Sequence, residues 1–406
     1  MGSSAGQTTP EATITLTLHR TATPWTEPAS PLLPVWRDRR VRAVSLVLVV
    51  WTVIWAAAAV WHGMYSWHYF VTGAQVLGSP QGVHVFAAHP ELQMGPLSLV
   101  AAFGIVSSGG GAATAVASAV MLVVGALVLV MALALRPVGS GTERATRLLV
   151  VGALLAPAWT VLAVHYGHLD DALALAATVG AMLAMTRSRP GLAVVVLALA
   201  VGFKPWAAPV AVILLAGPRA ARHLVLFAVL VVAPWAVFVL GDPSTLHLGS
   251  FAIAVAPDSA LRALGVSAGT TPGWDRPLQL LLSVSVGAWV VRRGRLFAVP
   301  FVVLATRMLL DPGTYPYYTT GLLVAALVLD LGGSGHRLVP RYTVGVAAWL
   351  VAVTVLNAAG LPAAAGHLRA AYLMTALAMV MVTSRRDDDR STPRPSTSSL
   401  TPVGRG

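Results

Sequence analysis

A chain of 406 residues that is 56% hydrophobic and 10% charged, with a mean hydropathy of +0.75, has more apolar surface than a water-soluble core can bury. A soluble globular fold is therefore excluded in favour of a polytopic membrane protein, and the absence of cysteine removes disulfides, thiolate metal sites and cysteine nucleophiles. The net charge of +12 sits in short arginine clusters between apolar runs, which is the pattern of positive-inside topology and not of a nucleic-acid-binding surface.

Residues 1–35, rich in Thr, Ser and Pro, are predicted to form a disordered cytoplasmic tail with no cleavable signal peptide. Four arginines in WRDRRVR (36–42) precede an apolar run at 43–61, long enough for one outward span. The next loop, 62–95, is long and aromatic, with His62, His68, His84, His89 and Glu91 among Tyr65, Trp67, Tyr69 and Phe70. After Pro96, an apolar piece of about 11 residues ends in SSGGG; it is too short to span and is predicted to be interfacial or half-inserted. The second full span is then 112–135.

Arg136, Arg144 and Arg147 mark an inner turn, the third span (148–165) carries YGHLDD to the outer face, and 172–186 returns. RSRP (187–190) and GPRAARH (217–223) are both basic yet only about 26 residues apart, so the segment between them leaves and re-enters from one side. Two short helices meeting at Lys204 and Pro205 satisfy this, because proline removes a backbone donor and pushes the residue before it out of the helical region. Such a break is tolerated only where protein or water covers it. Span 224–240 exits into a loop (241–276) holding Asp242, His247, Asp258, Arg262, Trp274 and Asp275. Segment 277–291 returns to VRRGR, 296–310 goes out to DPGTYPYYTT, 321–331 comes back, and 344–359 and 370–382 complete the bundle. A second polar tail occupies 385–406. The expectation is an all-α polytopic cell-membrane protein of about 10–12 spans over 36–384, with a large first extracytoplasmic loop and both termini cytoplasmic.

Lys204 is the only lysine among 27 basic side chains. An ionisable group at membrane depth costs about 2.5–3.5 kcal/mol at a helix centre unless paired or hydrated. Lys204 either snorkels to the headgroups or holds a lipid phosphate. On a helix, His165, His168 and Asp171 would share a face at spacing three. They form a metal set, a hydrogen-bonded cap in which Asp170 or Asp171 starts the next span, or acid, base and substrate contacts. Glu91, the sole carboxylate of the first outer loop, lies close to His89 and is either a general base or the cap of the short helix. Arg307 and Asp311, four apart, either neutralise each other or divide between phosphate and substrate, with Tyr315, Tyr317 and Tyr318 beside them.

WHYFVTGAQVL (67–77) followed by HPELQMGPLSL (89–99), GHLDD (167–171) ahead of a span and GFKPWAAP (202–209) after a short one resemble the GT-C superfamily of membrane glycosyltransferases. The likeness is greatest to the polyprenol-phosphate-mannose-dependent mannosyltransferases of actinobacteria and covers most of the membrane part. The resemblance implies transfer of a sugar, with mannose the first choice, from a polyprenyl-phosphate donor to a glycolipid, glycan or other hydroxyl acceptor at the outer face, with inversion. In that family an aspartate early in the first outer loop usually acts as base, whereas residues 65–69 here contain no acid. Glu91, His68, Asp170 and Asp171 are therefore the candidates for the base. Lys204, Arg276 and Arg307 are the cations available to the leaving phosphate, and His89, His165, His168, Asp311, Tyr315 and Tyr317 are candidate substrate contacts. No strong metal-ligand set or cofactor motif is visible, so a metal-free reaction is expected. The competing class is a transporter or lipid flippase, which would show inverted repeats; the two halves have no convincing self-similarity.

Overall fold

Backbone groups in hydrocarbon have to be satisfied within the segment that carries them, and every regular element among the described residues is helical. The computed structural model describes residues 38–61, 63–135, 140–250, 252–333 and 340–382. Both predicted tails, His62 and Arg136 lie outside these residues, as does the side chain of His247.

Helix α1 (Arg39–Val60) starts at Asp38, whose carboxylate accepts from the Arg40 N–H at 2.8 Å. The segment expected to be an open aromatic loop instead folds into α2 (Trp67–Leu77) and the single turn α3 (Val85–Ala88). Trp67, Phe70 and Ala74 recur at helical spacing and are buried, and this periodicity outweighs the histidines and tyrosines between them. Helix α4 (Pro96–Gly109) is short, as expected, and a left-handed Gly110 (φ 48°) separates it from α5 (Ala113–Leu133). Helix α6 (Gly141–Thr160) runs on through a π-helical turn, Val161–Tyr166, to α7 (Leu169–Thr186).

Helix α8 (Pro190–Phe203) and a 3₁₀ rod, Pro205–Ala216, form the predicted broken pair. Pro205 and Pro209 both lack an N–H, which disfavours a regular α-helix in the rod. Helix α9 (Ala220–Gly241) leads to a loop containing the short α10 (Ala260–Ala263), followed by α11 (Asp275–Arg292) and α12 (Val299–Leu310). Helix α13 (Pro316–Gly332) begins five residues before the expected 321, and α15 (Pro362–Val382) eight before 370, after α14 (Arg341–Ala358). In both, a proline at the first helical position supplies the right φ where no N–H is needed, so the helix starts ahead of the main apolar run.

Among the described residues, seven helical segments are long and apolar enough to cross a membrane, with α4 and α5 counted as one rod; α8, the 3₁₀ rod, α12 and α13 are shorter apolar pieces. Burial sorts them. On α9 only Phe238 is buried, whereas α13 is buried along nearly its whole length and α7 along most of it. The lipid-facing helices surround an interior of short ones, as expected where lipid is as apolar as the side chains it meets.

Contacts between connections divide them into two ends. At one, Asp330 accepts from the Thr343 N–H (2.8 Å) and hydroxyl (2.9 Å), Arg295 reaches the Val380 carbonyl and Arg40 reaches Thr142. At the other, the Tyr65 and Ser66 N–H groups donate to the His165 and Tyr166 carbonyls at 2.9 and 2.8 Å. His84 meets Asp242 there at 2.8 Å, and the Ser244 hydroxyl, then His84, hold the Asp242 carboxyl down at about 2. Asp258 accepts from Thr314 (2.7 Å), Asn357 (2.9 Å) and Arg369 (3.3 Å), which pins the 252–275 loop to the last two helices. Each of these contacts joins segments that the arginine clusters assign to the same side.

In this cysteine-free chain, a single cysteine at Thr270 is expected to react with an impermeant maleimide in intact cells, whereas one at Ser188 reacts only after permeabilisation. The opposite labelling pattern would invert the topology.

Candidate functional site

The site begins with a chain reversal. Gly167 adopts φ 70°, a left-handed conformation that a side chain would strain, and ends the π-helical turn so that His168 becomes the N-cap residue of α7. Asp170 and Asp171 fall in the first turn, where the positive end of the helix dipole favours carboxylates. All three residues are buried, Asp170 with only 1% of its surface exposed.

The cation of the site comes from the end of α8. Pro205 forces Lys204 into an extended conformation (φ −144°, ψ 117°), so the chain leaves the helix and the side chain turns toward α7. Its ammonium bonds to Asp170 Oδ2 and lies 3.7 Å from Asp171 Oδ2. Two residues on, the Trp206 indole donates to Asp171 Oδ1 at 2.7 Å. GHLDD and FKPW therefore interlock. Helix α8 rises about 20 Å over its 14 residues, so Lys204 is separated from the RSRP cluster by about two-thirds of the thickness of a hydrocarbon core of about 30 Å.

His168 Nδ1 is 3.3 Å from Asp170 Oδ1 and 3.5 Å from Asp171 Oδ2. Its ring stacks on Tyr317 (3.6 Å between centroids, 25°) and meets the edge of Phe70. A second ionic cluster adjoins the first: Asp311, which ends α12 in extended backbone, is 3.5 Å from Arg307 Nε and 3.4 Å from Arg276 Nη1, and also accepts from the Gly313 N–H. Arg276 also donates to Gln279, whose amide donates to the buried Asp275 at 2.8 Å. Arg307 joins the two clusters, with its guanidinium over the rings of Tyr318 (4.5 Å) and Trp206 (5.8 Å). Tyr315 stacks on Tyr317 and is 41% exposed, forming the rim. Burial, then the charge of Asp311, pushes the Tyr315 hydroxyl above its usual range, so it remains a donor.

The structure thus gathers His168, Asp170, Asp171, Lys204, Arg276, Arg307, Asp311, Tyr315 and Tyr317 into one polar layer. Other candidates stand apart. Glu91 bonds to His89 Nδ1 at 3.0 Å with both side chains about one-third exposed, and His68 is exposed, with Nδ1 against the Tyr65 carbonyl at 3.0 Å. His165 does not share a face with His168 and Asp171, because the π-turn and the left-handed Gly167 break the helical spacing on which that expectation rested; its ring packs on Tyr166. Capping alone does not describe the acids either, since Asp170 Oδ1 does bond to the Asp171 N–H (2.8 Å) but both carboxylates turn to Lys204 and Trp206. Snorkelling is ruled out for Lys204, whose side chain is 12% exposed and ion-paired.

Trp206, Asp275 and Gln279 were not among the candidates. A tryptophan near a membrane interface is unremarkable in a sequence, and only the pairing of α7 with α8 gives Trp206 its role. Ligand atoms of His168, Asp170 and Asp171 lie within 4.8 Å of one another, close enough for a divalent cation. The Lys204 ammonium against both carboxylates already places a positive charge there. No family model, curated protein or solved structure matches the chain.

Breaking a buried ion pair by removing one partner costs about 3–5 kcal/mol, because the other charge is left uncompensated. Lys204→Met and Asp170→Asn should each lower the thermal midpoint of the detergent-purified protein, and the double variant should lose clearly less than the sum. Strict additivity would mean that the pair is not coupled.

Proposed function

We propose that the protein transfers a sugar from a polyprenyl-phosphate donor to a hydroxyl acceptor at the outer face of the membrane. The observation that carries this reading is the buried cluster of His168, Asp170, Asp171 and Lys204, joined through Trp206 to two arginines that meet at Asp311. A hydroxyl nucleophile needs a proton acceptor, a leaving phosphate needs cations, and both act more strongly where water is excluded. The two requirements are met by adjacent parts of one layer, at the depth where a lipid-linked phosphate resides.

The acceptor oxygen attacks the anomeric carbon from the face opposite the phosphate. The bond from that carbon to the phosphate oxygen breaks, its electron pair leaves with the polyprenyl phosphate, and the hydroxyl proton passes to the buried cluster. The stereochemical outcome is inversion. Lys204 faces two carboxylates, whereas Arg307 and Arg276 share the one carboxylate of Asp311, so the two arginines are the cations that receive the phosphate while Lys204 keeps the acids in place. The exposed ring of Tyr315 at the rim suits a pyranose ring, and mannose is the sugar favoured by the sequence resemblance.

The test uses the purified full-length chain in nanodiscs with radiolabelled polyprenyl phosphate mannose and glycolipid acceptors. A new labelled glycoside should form, and EDTA should leave its rate unchanged. Arg307→Met should lower transfer about ten- to a hundredfold, as expected for loss of one charge-assisted contact worth about 1.5–3 kcal/mol. Arg307→Lys should recover only part, since an ammonium cannot reproduce the planar fork. Label that crosses a proteoliposome membrane without a new glycosidic bond would replace this reading with transport.

A further inference from the structure

The proton acceptor within the cluster can be found by counting which lone pairs already face a donor. Asp170 uses three of its four lone-pair sites: Oδ2 accepts from the Lys204 ammonium, and Oδ1 accepts from the Asp171 N–H and faces His168 Nδ1. Asp171 Oδ1 accepts from the Trp206 indole. Its Oδ2 makes no hydrogen bond but lies between two nitrogens, His168 Nδ1 at 3.5 Å and Lys204 Nζ at 3.7 Å. Each of the four carboxylate oxygens therefore has a nitrogen facing it, and an incoming hydroxyl would have to share that oxygen with a group already in place.

The imidazole differs. With Nδ1 facing two carboxylates, the proton of a neutral ring belongs on Nδ1, which leaves a lone pair on Nε2. Nε2 is buried and has no hydrogen-bond partner among the described residues. The ring cannot turn away freely, since Tyr317 stacks on its face and Phe70 meets its edge. A buried acceptor without a partner carries a desolvation cost of about 1–3 kcal/mol, which a substrate hydroxyl would relieve.

Resting on the sugar-transfer reading above, we infer that His168 is the general base, that its Nε2 takes the acceptor's proton, and that Asp170 and Asp171 are positioning residues which fix the tautomer. As the new glycosidic bond forms, the O–H electron pair stays on the acceptor oxygen and the proton moves to Nε2. The resulting imidazolium faces the two carboxylates, which stabilise it as the carboxylate behind a hydrolase imidazole does. Lys204 and Trp206 in turn hold those carboxylates toward the ring. The role thus falls to a residue that the family resemblance did not select, and it removes the need for an acid in residues 65–69.

The test exploits a nucleophile that has no proton to lose. His168→Gln keeps an amide donor beside the carboxylates and removes the base, so with wild-type donor binding its transfer to a hydroxyl acceptor should fall about 10²–10⁴-fold. Transfer to azide, which attacks the same carbon and gives a glycosyl azide detectable by mass spectrometry, should stay within a few-fold of wild type. His168→Ala supplies a second measurement: added imidazole should fill the space against Tyr317 and restore hydroxyl transfer in a concentration-dependent way. Hydroxyl transfer near the wild-type rate in His168→Gln would overturn the assignment. Equal loss of both reactions, with no imidazole rescue of His168→Ala, would reduce His168 to a structural role and overturn it as well. A wild-type protein that forms neither glycoside nor glycosyl azide would overturn the sugar-transfer reading, and the base assignment with it.

Discussion

The contact between the Lys204 ammonium and the Asp170 carboxylate constrains much of this molecule. Neither charge is tolerable alone at membrane depth, so the end of α8 has to meet the start of α7. That requirement explains why the helical hairpin between the two basic clusters is broken where it is. A continuous helix through residue 205 would carry the lysine on past the carboxylates, whereas the extended residue turns it to them. Trp206 then falls on Asp171, and its ring becomes a surface for Arg307. One backbone break thus organises both ionic clusters.

Charge at membrane depth also explains why the interior is built from short helices. Helices α8, α12 and α13 and the 3₁₀ rod end inside the width of the bilayer, and their ends bring Lys204, Asp311 and the tyrosines into the polar layer. Among the long helices, α1 and α9 are mostly exposed and carry almost no polar demand, whereas α7 is mostly buried and brings Asp170 and Asp171 to the same layer. The loop pinned by Asp258 closes the same end of the bundle over α12 and α15.

Much of this was legible in the sequence because it rests on local rules. Arginine clusters set the alternation of ends, Pro205 set the break, and the spacing of Arg307 and Asp311 set an intrahelical pair. What was not legible depends on pairings between distant segments. Arg276 reaches Asp311 across 35 residues and Trp206 reaches Asp171 across the same separation, and no periodicity encodes either contact. The helix in the first outer loop was hidden by its histidines and tyrosines, although its buried residues keep helical spacing. His165 was misplaced because spacing three implies a shared face only if the helix continues, and Gly167 ends it.

One modest main-chain contact links the outer loop to this arrangement. The Phe203 carbonyl, one residue before Lys204, accepts from both the Gly95 N–H and the Ser98 hydroxyl at 2.8 Å, and Gly95 packs so closely on Gly202 that a Cβ would lie 2.1 Å from its carbonyl oxygen. The segment bearing His89 and Glu91 is therefore mechanically coupled to the lysine it does not touch. The two hydrogen bonds and the glycine contact set the distance between that loop and the Lys204–Asp170 pair, so any side chain at position 95 would push the loop away from the end of α8.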